Sequence, residues 1–488
     1  MRSRMPEKWD MEYDVVVVGW GMAGTAAAVT AHDSGAKVLI VEKMAEGGGN
    51  TRVSGGNIII PKGREFIDYL DTLSFKTTER EIIEVFVEYA LNNGEWIKKM
   101  GGDVQVFMPL QVAYPETAAG AGFPHIPGAE TVVKYNVKGT AEEGKPSERL
   151  WKFLSGLVAK RGIKVITSTR AKELISTNDG EIGGVVAEKE GRTTHIKAQK
   201  AVILTCGGYQ NDPRLKWDYL PVKPVFFFGT PGNAGDGIRM VQKVGGDLWH
   251  MTRLCCVVGF KAPEFEAAFP ITFLSEGFMF LDRYGRRFVN EAGMEIHDYF
   301  TELSLFDVKK MEFPRVPIWG IFDEQTRKRG PLSRGTAGYN RDLYSWSLDN
   351  SAEIAKGWIR QGKTAAELAA KISVPTKTLE ETIERYNGYC KAGKDGDFGR
   401  PREDLRALEP PYYALQLWPS LINTQGGPRR DKEARVLDPE GQPIPRLYAA
   451  GELGSIWGYL YQGACNISEG LVFGQIAGKN AAREKPWS

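Results

Sequence analysis

Four residues near the N-terminus have the types and the spacing of a dinucleotide-binding turn. Gly19, Gly21 and Gly24 form a GxGxxG pattern, and Glu42 follows Gly24 by 18 residues. Such glycines permit a tight turn, let backbone N–H groups approach a pyrophosphate and let a helix pack closely on a strand. A carboxylate at that distance accepts hydrogen bonds from ribose hydroxyls. The pattern predicts binding of an adenine dinucleotide.

The flanking residues predict the elements that position this turn. Val15–Val18 is a short β-branched run typical of a buried parallel strand. Small and apolar residues then predict a helix to about Gly35, and Lys37–Val41 predicts a second strand that Glu42 ends. The N-terminus of the helix attracts phosphate charge. This strand–turn–helix–strand context is much more specific than GxGxxG alone.

The composition excludes several classes of function. With 488 residues the chain is long enough for two or three domains, and its net charge of +2 comes without a basic run, so no nucleic-acid partner is expected. There is no apolar stretch of membrane-spanning length and no apolar core of a secretory signal. Five scattered cysteines form no CxxC motif, which argues against a disulfide framework or a metal site. We expect a cytoplasmic enzyme with neither a transmembrane segment nor a metal.

Signals of a nucleotide-binding fold occur at both ends of the chain. A second glycine-rich segment spans residues 46–57, and a predicted strand at 198–205 ends in Cys206-Gly207-Gly208. The middle is aromatic and irregular, and the last part returns to a strand at 446–450, a glycine-rich loop and a helix at 467–483. We therefore predict one α/β nucleotide domain built from residues 1–255 and 412–488, with a substrate domain at 256–411 inserted.

Seven segments follow one another along the chain: VVVVGWGMAGTAAA, GGGNTRVSGGN, KAVILTCGGY, GNAGDGIRM, DRYGRRFVNE, GQPIPRLYAAGE and ISEGLVFGQIAGKNAA. In content and order they resemble the fumarate reductase/3-ketosteroid dehydrogenase superfamily of FAD flavoproteins. The resemblance implies a Rossmann-like FAD-binding domain of the glutathione-reductase type with an inserted α+β capping domain. It also implies non-covalent FAD, because the GGGNTR segment has no histidine for a covalent flavin link.

Mapped by motif, the resemblance implies which residues hold FAD. The glycine turn and Glu42 would hold the ADP half, Ala171 would offer its backbone to adenine, and Glu452 would bond the ribityl chain. The last helix would direct its positive end at the flavin ring. The implied cofactor-binding residues are Gly19, Gly21, Met22, Ala23, Gly24, Glu42, Lys43, Gly49, Asn50, Thr51, Ser54, Gly55, Gly56, Ala171, Cys206, Gly207, Gly208, Asp236, Gly451, Glu452, Ile467 and Ser468.

The dicarboxylate branch of the superfamily activates its substrate with cations that this chain lacks. That branch has an Arg after its RFxNE motif, a His before TxGG and an Arg in the last loop. Here the corresponding stretches are 292–299, Ile422-Asn423 and 457–463, which contain neither that histidine nor those arginines. Two carboxylates would be desolvated at high cost without them, so fumarate-type chemistry is disfavoured. Arg429 and Arg430, just beyond TxGG, are interpreted as a solvated pair after a turn.

The ketosteroid dehydrogenase branch uses tyrosines, and there the chain looks similar. Tyr461 matches the tyrosine that bonds the substrate ketone, and Tyr299 or His297 stands where that branch has its catalytic tyrosine. A tyrosine hydroxyl suits a neutral ketone because it donates a hydrogen bond without adding charge. The candidate catalytic residues are Tyr461, the N–H of Gly463, the near alternative Tyr459, Tyr299, His297 and the supporting Tyr114.

These residues lead to the hypothesis of an FAD-dependent oxidoreductase that introduces or reduces a C=C bond conjugated to a carbonyl. The substrate would be a small, apolar, 3-ketosteroid-like ketone. Hydride would be exchanged with flavin N5, and Tyr299 or His297 would move the proton. Two alternatives stay open: an enoate reductase for an unsaturated mono- or dicarboxylate, and a flavin electron-transfer subunit. With one dinucleotide fingerprint present, the sequence does not indicate the electron donor or acceptor.

Overall fold

A computed structural model describes residues 5–107, 120–293 and 295–487. Its strands are β1 (Met11–Val18), β2 (Val38–Val41), β3 (Ile58–Ile59), β4 (Val104–Val106), β5 (Lys134–Val137), β6 (Lys164–Ile166), β7 (Arg170–Ser176), β8 (Ile182–Lys189), β9 (Arg192–Leu204), β10 (Phe226–Phe227), β11 (Leu248–Trp249), β12 (Leu254–Phe260), β13 (Phe269–Pro270), β14 (Phe278–Leu281), β15 (Ile318–Asp323), β16 (Ile359–Gly362), β17 (Tyr412–Thr424), β18 (Gly427–Pro428), β19 (Arg435–Leu437) and β20 (Pro443–Ala449). Its α-helices are α1 (Met22–Asp33), α2 (Gly49–Val53), α3 (Phe66–Ser74), α4 (Arg80–Ala90), α5 (Asn93–Lys99), α6 (Pro146–Lys160), α7 (Pro213–Tyr219), α8 (Asp236–Lys243), α9 (Tyr299–Leu303), α10 (Glu324–Arg329), α11 (Ser351–Ala355), α12 (Ala365–Ile372), α13 (Thr376–Ala392) and α14 (Cys465–Arg483).

The predicted strand–turn–helix–strand segment forms the centre of the larger sheet. β1 lies parallel to β2 on one side and to β9 on the other, with Val15–Val18 buried. Within the described residues the sheet has eight strands, and its main path runs β19-β20-β9-β1-β2-β6. β20, from the end of the chain, lies parallel to β9. Both ends of the chain therefore contribute strands to one sheet.

Glycines let the two long helices lie close to the sheet and to each other. A Cβ at Gly24 would stand 2.1 Å from the carbonyl oxygen of Gly19, which shows how tightly α1 packs against the turn. α14 packs on α1 through a second set of glycines; a Cβ at Gly474 would lie 2.6 Å from the oxygen of Ala23. This spacing places the N-termini of both helices beside the turn that follows β1.

A second sheet, built mainly from the middle of the chain, forms the cap. Among the described residues it has seven strands, with the path β13-β12-β17-β15-β14 and with β10 and β16 also paired to β17. Its core is aromatic, and the rings of Phe273 and Phe278 stack with centroids 4.5 Å apart. β17 pairs with both β12 and β15, so residues 412–424 lie in this sheet. The domain boundaries at 255/256 and 411/412 stay predictions.

The interpretation of Arg429 and Arg430 as a solvated pair is wrong for Arg430. Arg430 is 0% exposed, donates to the carbonyl oxygen of Gly454 at 2.9 Å and forms an ion pair with Glu469 of α14. Its guanidinium also lies 4.4 Å from the ring centroid of Phe473. A partner almost forty residues away in the chain, on the last helix, makes this burial possible. Across the described ranges, no helix is both long and apolar enough to cross a membrane.

Candidate active site

The glycine turn and the elements around it line a cleft at the N-terminus of α1. The predicted cofactor residues that line it are Gly19, Gly21, Met22, Ala23, Glu42, Lys43, Gly49, Asn50, Thr51, Ala171, Cys206, Gly207, Asp236, Gly451, Glu452 and Ile467. The N-cap of α1, Gly21, has no side chain to cap the helix, and the first turn contains no acidic residue. Such a helix end is suited to a pyrophosphate.

Glu42 is held in place by the backbone on both sides. Its Oε2 accepts the N–H of Trp20 at 2.8 Å and its Oε1 accepts the N–H of Met44 at 2.8 Å. Burial raises the pKa of this carboxyl, and those two bonds oppose the rise. Each carboxylate oxygen keeps a second lone pair, so ribose hydroxyls can still donate to it.

Two of the predicted cofactor residues, Lys43 and Asp236, form an ion pair in the cleft. Asp236 at the start of α8 accepts from Lys43 Nζ at 2.8 Å and forms a second ion pair with Arg170. All three line the cleft. The negative charge of Asp236 is thus balanced by Lys43 and Arg170.

Glu452 sits at the centre of an amide cluster between the two sheets. Its Oε2 accepts from the side-chain amides of Asn50 (2.9 Å), Asn233 (3.1 Å) and Asn423 (2.9 Å). Removal from bulk water raises its pKa to about 7, despite those bonds. The sequence motifs do not single out Asn233 or Asn423, although both bond Glu452. The signal for Asn423 was its position directly before the TQGG segment.

Some predicted cofactor residues lie elsewhere than in this cleft. Ser54, Gly55 and Gly56 line the neighbouring cavity. Ser468 is fully buried, and its hydroxyl accepts the N–H of Ile59 at 2.7 Å. Gly208 packs behind the amide cluster, where a Cβ would be 2.4 Å from Glu452 Oε1. Gly24 supports the turn from within α1, so its contribution is to packing.

A larger cavity of about 610 Å³ lies between the cleft and the cap sheet. The two share Asn50, Asn423, Asn466 and Ile467 as lining residues, so they adjoin at the N-terminus of α14. The side-chain oxygen and nitrogen of Asn466 are buried and have no hydrogen-bond partner among the described residues. An unsatisfied buried amide at this junction fits a polar edge of a flavin ring. No motif in the sequence marks Asn466.

Three residues from two distant segments meet on the wall of the larger cavity. His297 Nδ1 lies 2.8 Å from Glu295 Oε1, and the backbone N–H of His297 donates to Glu295 Oε2 at 2.6 Å. The rings of His297 and Tyr461 meet edge to face, with centroids 5.7 Å apart. Gly463 adjoins them, since a Cβ there would be 2.7 Å from His297 Cε1. The structure thus brings His297, Tyr461 and Gly463 together.

Tyr461 is placed to donate a hydrogen bond. Its hydroxyl oxygen accepts the N–H of Asn466 at 3.1 Å, and within the described ranges no acceptor takes its own hydrogen. Burial raises its pKa well above the ordinary range, so the phenol stays protonated at neutral pH.

The other three tyrosine candidates differ in their surroundings. Tyr299 at the start of α9 is buried, lines the cavity and has its hydroxyl 3.5 Å from the carbonyl oxygen of Glu291. Tyr459 is 37% exposed, lies over Arg253 with 4.1 Å between guanidinium and ring centroid, and does not line the cavity. Tyr114 lies outside the described residues.

The chain is similar to a known family and to several characterised proteins. It matches the sequence model of the FAD binding domain family FAD_binding_2 over residues 14–467. The chain belongs to this family. It is 30% identical to urocanate reductase of Eggerthella lenta, covering 98% of the chain and 76% of that protein. It is 27% identical to 3-oxosteroid 1-dehydrogenase of Mycolicibacterium smegmatis, covering 96% of the chain and 97% of that protein.

A solved structure shows the same fold. 3-Ketosteroid Δ1-dehydrogenase of Sterolibacterium denitrificans superposes with a TM-score of 0.82 at 22% identity, covering 96% of the chain and 99% of that structure. The resemblance to the superfamily, the FAD-binding fold with its cap and the cofactor FAD are thereby confirmed. The protein is an FAD-dependent oxidoreductase that acts on C=C bonds.

Proposed function

We propose that this enzyme introduces or reduces a C=C bond next to the carbonyl of a largely apolar ketone. The main support is that Tyr461, a neutral hydrogen-bond donor, and His297, a group that can carry a proton, lie side by side on the wall of the larger cavity. Tyr461 has a hydroxyl hydrogen to donate, and His297 stands beside it with a carboxylate behind its ring. A phenol polarises a ketone oxygen without a charge that an apolar cavity would have to solvate.

In this proposal His297 moves the proton. With Nδ1–H donating to Glu295, Nε2 is the nitrogen left to give or take a proton, because the carboxylate fixes the tautomer. The same carboxylate stabilises the imidazolium when the ring is charged. Tyr299, which lines the same cavity, is the second candidate for this role.

Bound FAD supplies the acceptor or donor of hydride in this chemistry. The protein contributes the position of the substrate above the cofactor cleft. The cavity meets the cleft at Ile467, in the first turn of α14. The positive end of that helix stabilises negative charge that develops nearby.

A second candidate is an enoate reductase that acts on an unsaturated carboxylate. The urocanate reductase relative supports this alternative, since its name denotes reduction of an unsaturated acid. In that case a carboxylate would take the place of the ketone beside Tyr461.

The test is anaerobic titration of the bound flavin with saturated and unsaturated ketones and acids, followed by absorbance. We expect saturated cyclic ketones to bleach the oxidised flavin, or the matching enones to reoxidise the reduced flavin. Tyr461→Phe should lower kcat/KM for the reactive ketone roughly 100-fold, as loss of an oxyanion donor does. Tyr459→Phe is the matched control, because Tyr459 does not line the cavity. Reoxidation by acrylates or urocanate, but by no enone ketone, would contradict the ketone assignment.

A further inference from the structure

Two arginines line the larger cavity, and they differ in their hydrogen bonds. Among the described residues that line it, the side chains able to carry charge are Arg149, Arg334 and His297, and no Asp, Glu or Lys is present. The guanidinium of Arg149 donates to three backbone carbonyl oxygens, those of Val137, Thr140 and Gly144. Nε and Nη1 of Arg149 therefore bond the loop that precedes its own helix, α6.

Arg334 has no such partner. Within residues 5–107, 120–293 and 295–487, its guanidinium makes neither a hydrogen bond nor an ion pair, although the side chain is half-buried. Burial lowers its pKa, with no carboxylate to oppose the shift. A guanidinium still stays charged near neutral pH. A half-buried charge without a partner is unfavourable in free energy, and a bound anion would remove much of that cost.

The loop that carries Arg334 is fixed at both ends. The carbonyl oxygen of Leu332 accepts the N–H of Thr272 at 2.9 Å, which ties the loop to the cap sheet. The N–H of Gly338 donates to the oxygen of Val53 at 2.8 Å, which ties it to α2 on the cofactor side. Arg334 is thus held on a short bridge between the cap and the cofactor domain. A group held in advance loses less entropy when it binds a ligand.

We propose that Arg334 binds a carboxylate of the substrate, separate from the ketone beside the reacting bond. This rests on the proposed function, because it leaves the ketone to Tyr461. The planar guanidinium offers two parallel N–H donors to a carboxylate. The substrate then combines an apolar body, a reactive ketone and a single acidic substituent.

The test uses the FAD-loaded enzyme and two unreactive probes of the same shape, 4-phenylbutanoate and 4-phenylbutanamide. Each is titrated while the absorption spectrum of the bound flavin is recorded. We expect the wild-type enzyme to bind the carboxylate about 10- to 100-fold more tightly than the amide, as a charge-assisted hydrogen bond gives. Arg334→Gln should abolish this preference without changing the affinity for the amide, and Arg334→Lys should keep part of it.

Arg329→Gln is the matched control, since Arg329 is exposed and close in the chain but does not line the cavity. It should keep the full preference. Equal affinity for both probes in the wild type, no binding of the carboxylate, or a preference that survives Arg334→Gln would overturn the proposal. The proposed function fails separately: an enzyme that prefers the carboxylate through Arg334, yet reacts with no ketone, would retain this site and lose the ketone assignment.

Discussion

Replacing Glu295 by glutamine tests whether His297 works with its carboxylate. Glu295 is 6% exposed and bonds both Nδ1 and the backbone N–H of His297, at 2.8 and 2.6 Å. Glutamine has almost the same shape and can accept one of these bonds through its carbonyl oxygen. The substitution therefore removes the negative charge and leaves the packing nearly unchanged.

The magnitude follows from this geometry. Two unit charges about 4 Å apart interact by about 4 kcal/mol at an effective dielectric constant of 20. The amide dipole retains part of that attraction: hydrogen bonds to charged groups contribute about 1.5–3 kcal/mol, against about 0.5–1.5 kcal/mol for neutral ones. The net loss for the state with a charged imidazole is therefore about 1–2 kcal/mol. This corresponds to a fivefold to thirtyfold slower proton-transfer step.

The assay is stopped-flow reduction or reoxidation of the flavin under anaerobic conditions at one fixed pH. In Glu295→Gln the rate should fall about fivefold to thirtyfold, because the imidazole loses the carboxylate beside it. Glu302→Gln, which removes a half-exposed carboxylate on α9, is the control. The double variant with His297→Gln should be no slower than His297→Gln alone if the two act as a unit. An unchanged rate in Glu295→Gln would refute the pairing of Glu295 with His297.

Two further predictions concern the stability of the cofactor domain. Burial raises the pKa of Glu452 from 4.5 to about 7, so the native state holds its proton to higher pH than the unfolded chain does. The free energy of unfolding of the flavin-free protein should therefore fall by up to about 3 kcal/mol as pH rises from about 4.5 to 7. Glu452→Gln should remove this pH dependence, as measured by urea unfolding. Identical pH curves for the variant and the wild type would contradict this prediction. Gly474→Ala places a Cβ 2.6 Å from the oxygen of Ala23, which should cost about 1–3 kcal/mol and lower the Tm. In Gly156→Ala nothing lies within 4 Å of the new Cβ, so that control should keep or raise the Tm; equal losses in both variants would count against the close approach of α14 to α1.

The parts of this molecule that sequence reasoning predicts well are those whose partners are close in the chain or linked by a motif. The turn from Gly19 to Glu42 is of this kind, because strand, glycines and helix are consecutive and each constrains the next. Arg430 shows the limit. An arginine after a turn is usually exposed to solvent. In the folded chain Glu469 of α14 forms an ion pair with Arg430, which stabilises its buried guanidinium.

Tyr459 and Tyr461 show the same limit at the active site. They are two residues apart in one loop, and the motif match favours Tyr461 with Tyr459 as a near alternative. One packs over Arg253 at the surface and the other bonds Asn466 at the cavity wall. In an irregular loop no helical or strand period tells which side chain points inward, so tertiary packing decides. Arg334 belongs to no motif at all; what marks it is the lack of a partner among the described residues, which only the folded chain reveals.

Tyr461 and Arg334 lie on different segments of the cavity wall and differ in charge. Hydride transfer at a C=C bond conjugated to a carbonyl puts negative charge on the carbonyl oxygen. In the proposed binding mode the phenol of Tyr461 would donate to this oxygen, and the N-terminus of α14 would stabilise the negative charge that develops nearby. The guanidinium of Arg334 is carried by another loop, where it favours binding of an acid equally before and during the reaction. Loss of Arg334 should therefore raise KM for an acidic ketone and leave kcat nearly unchanged, whereas loss of Tyr461 should lower kcat. Steady-state kinetics of the two variants on one acidic ketone separates these roles, and a fall in kcat for Arg334→Gln would place the arginine at the reacting carbonyl instead.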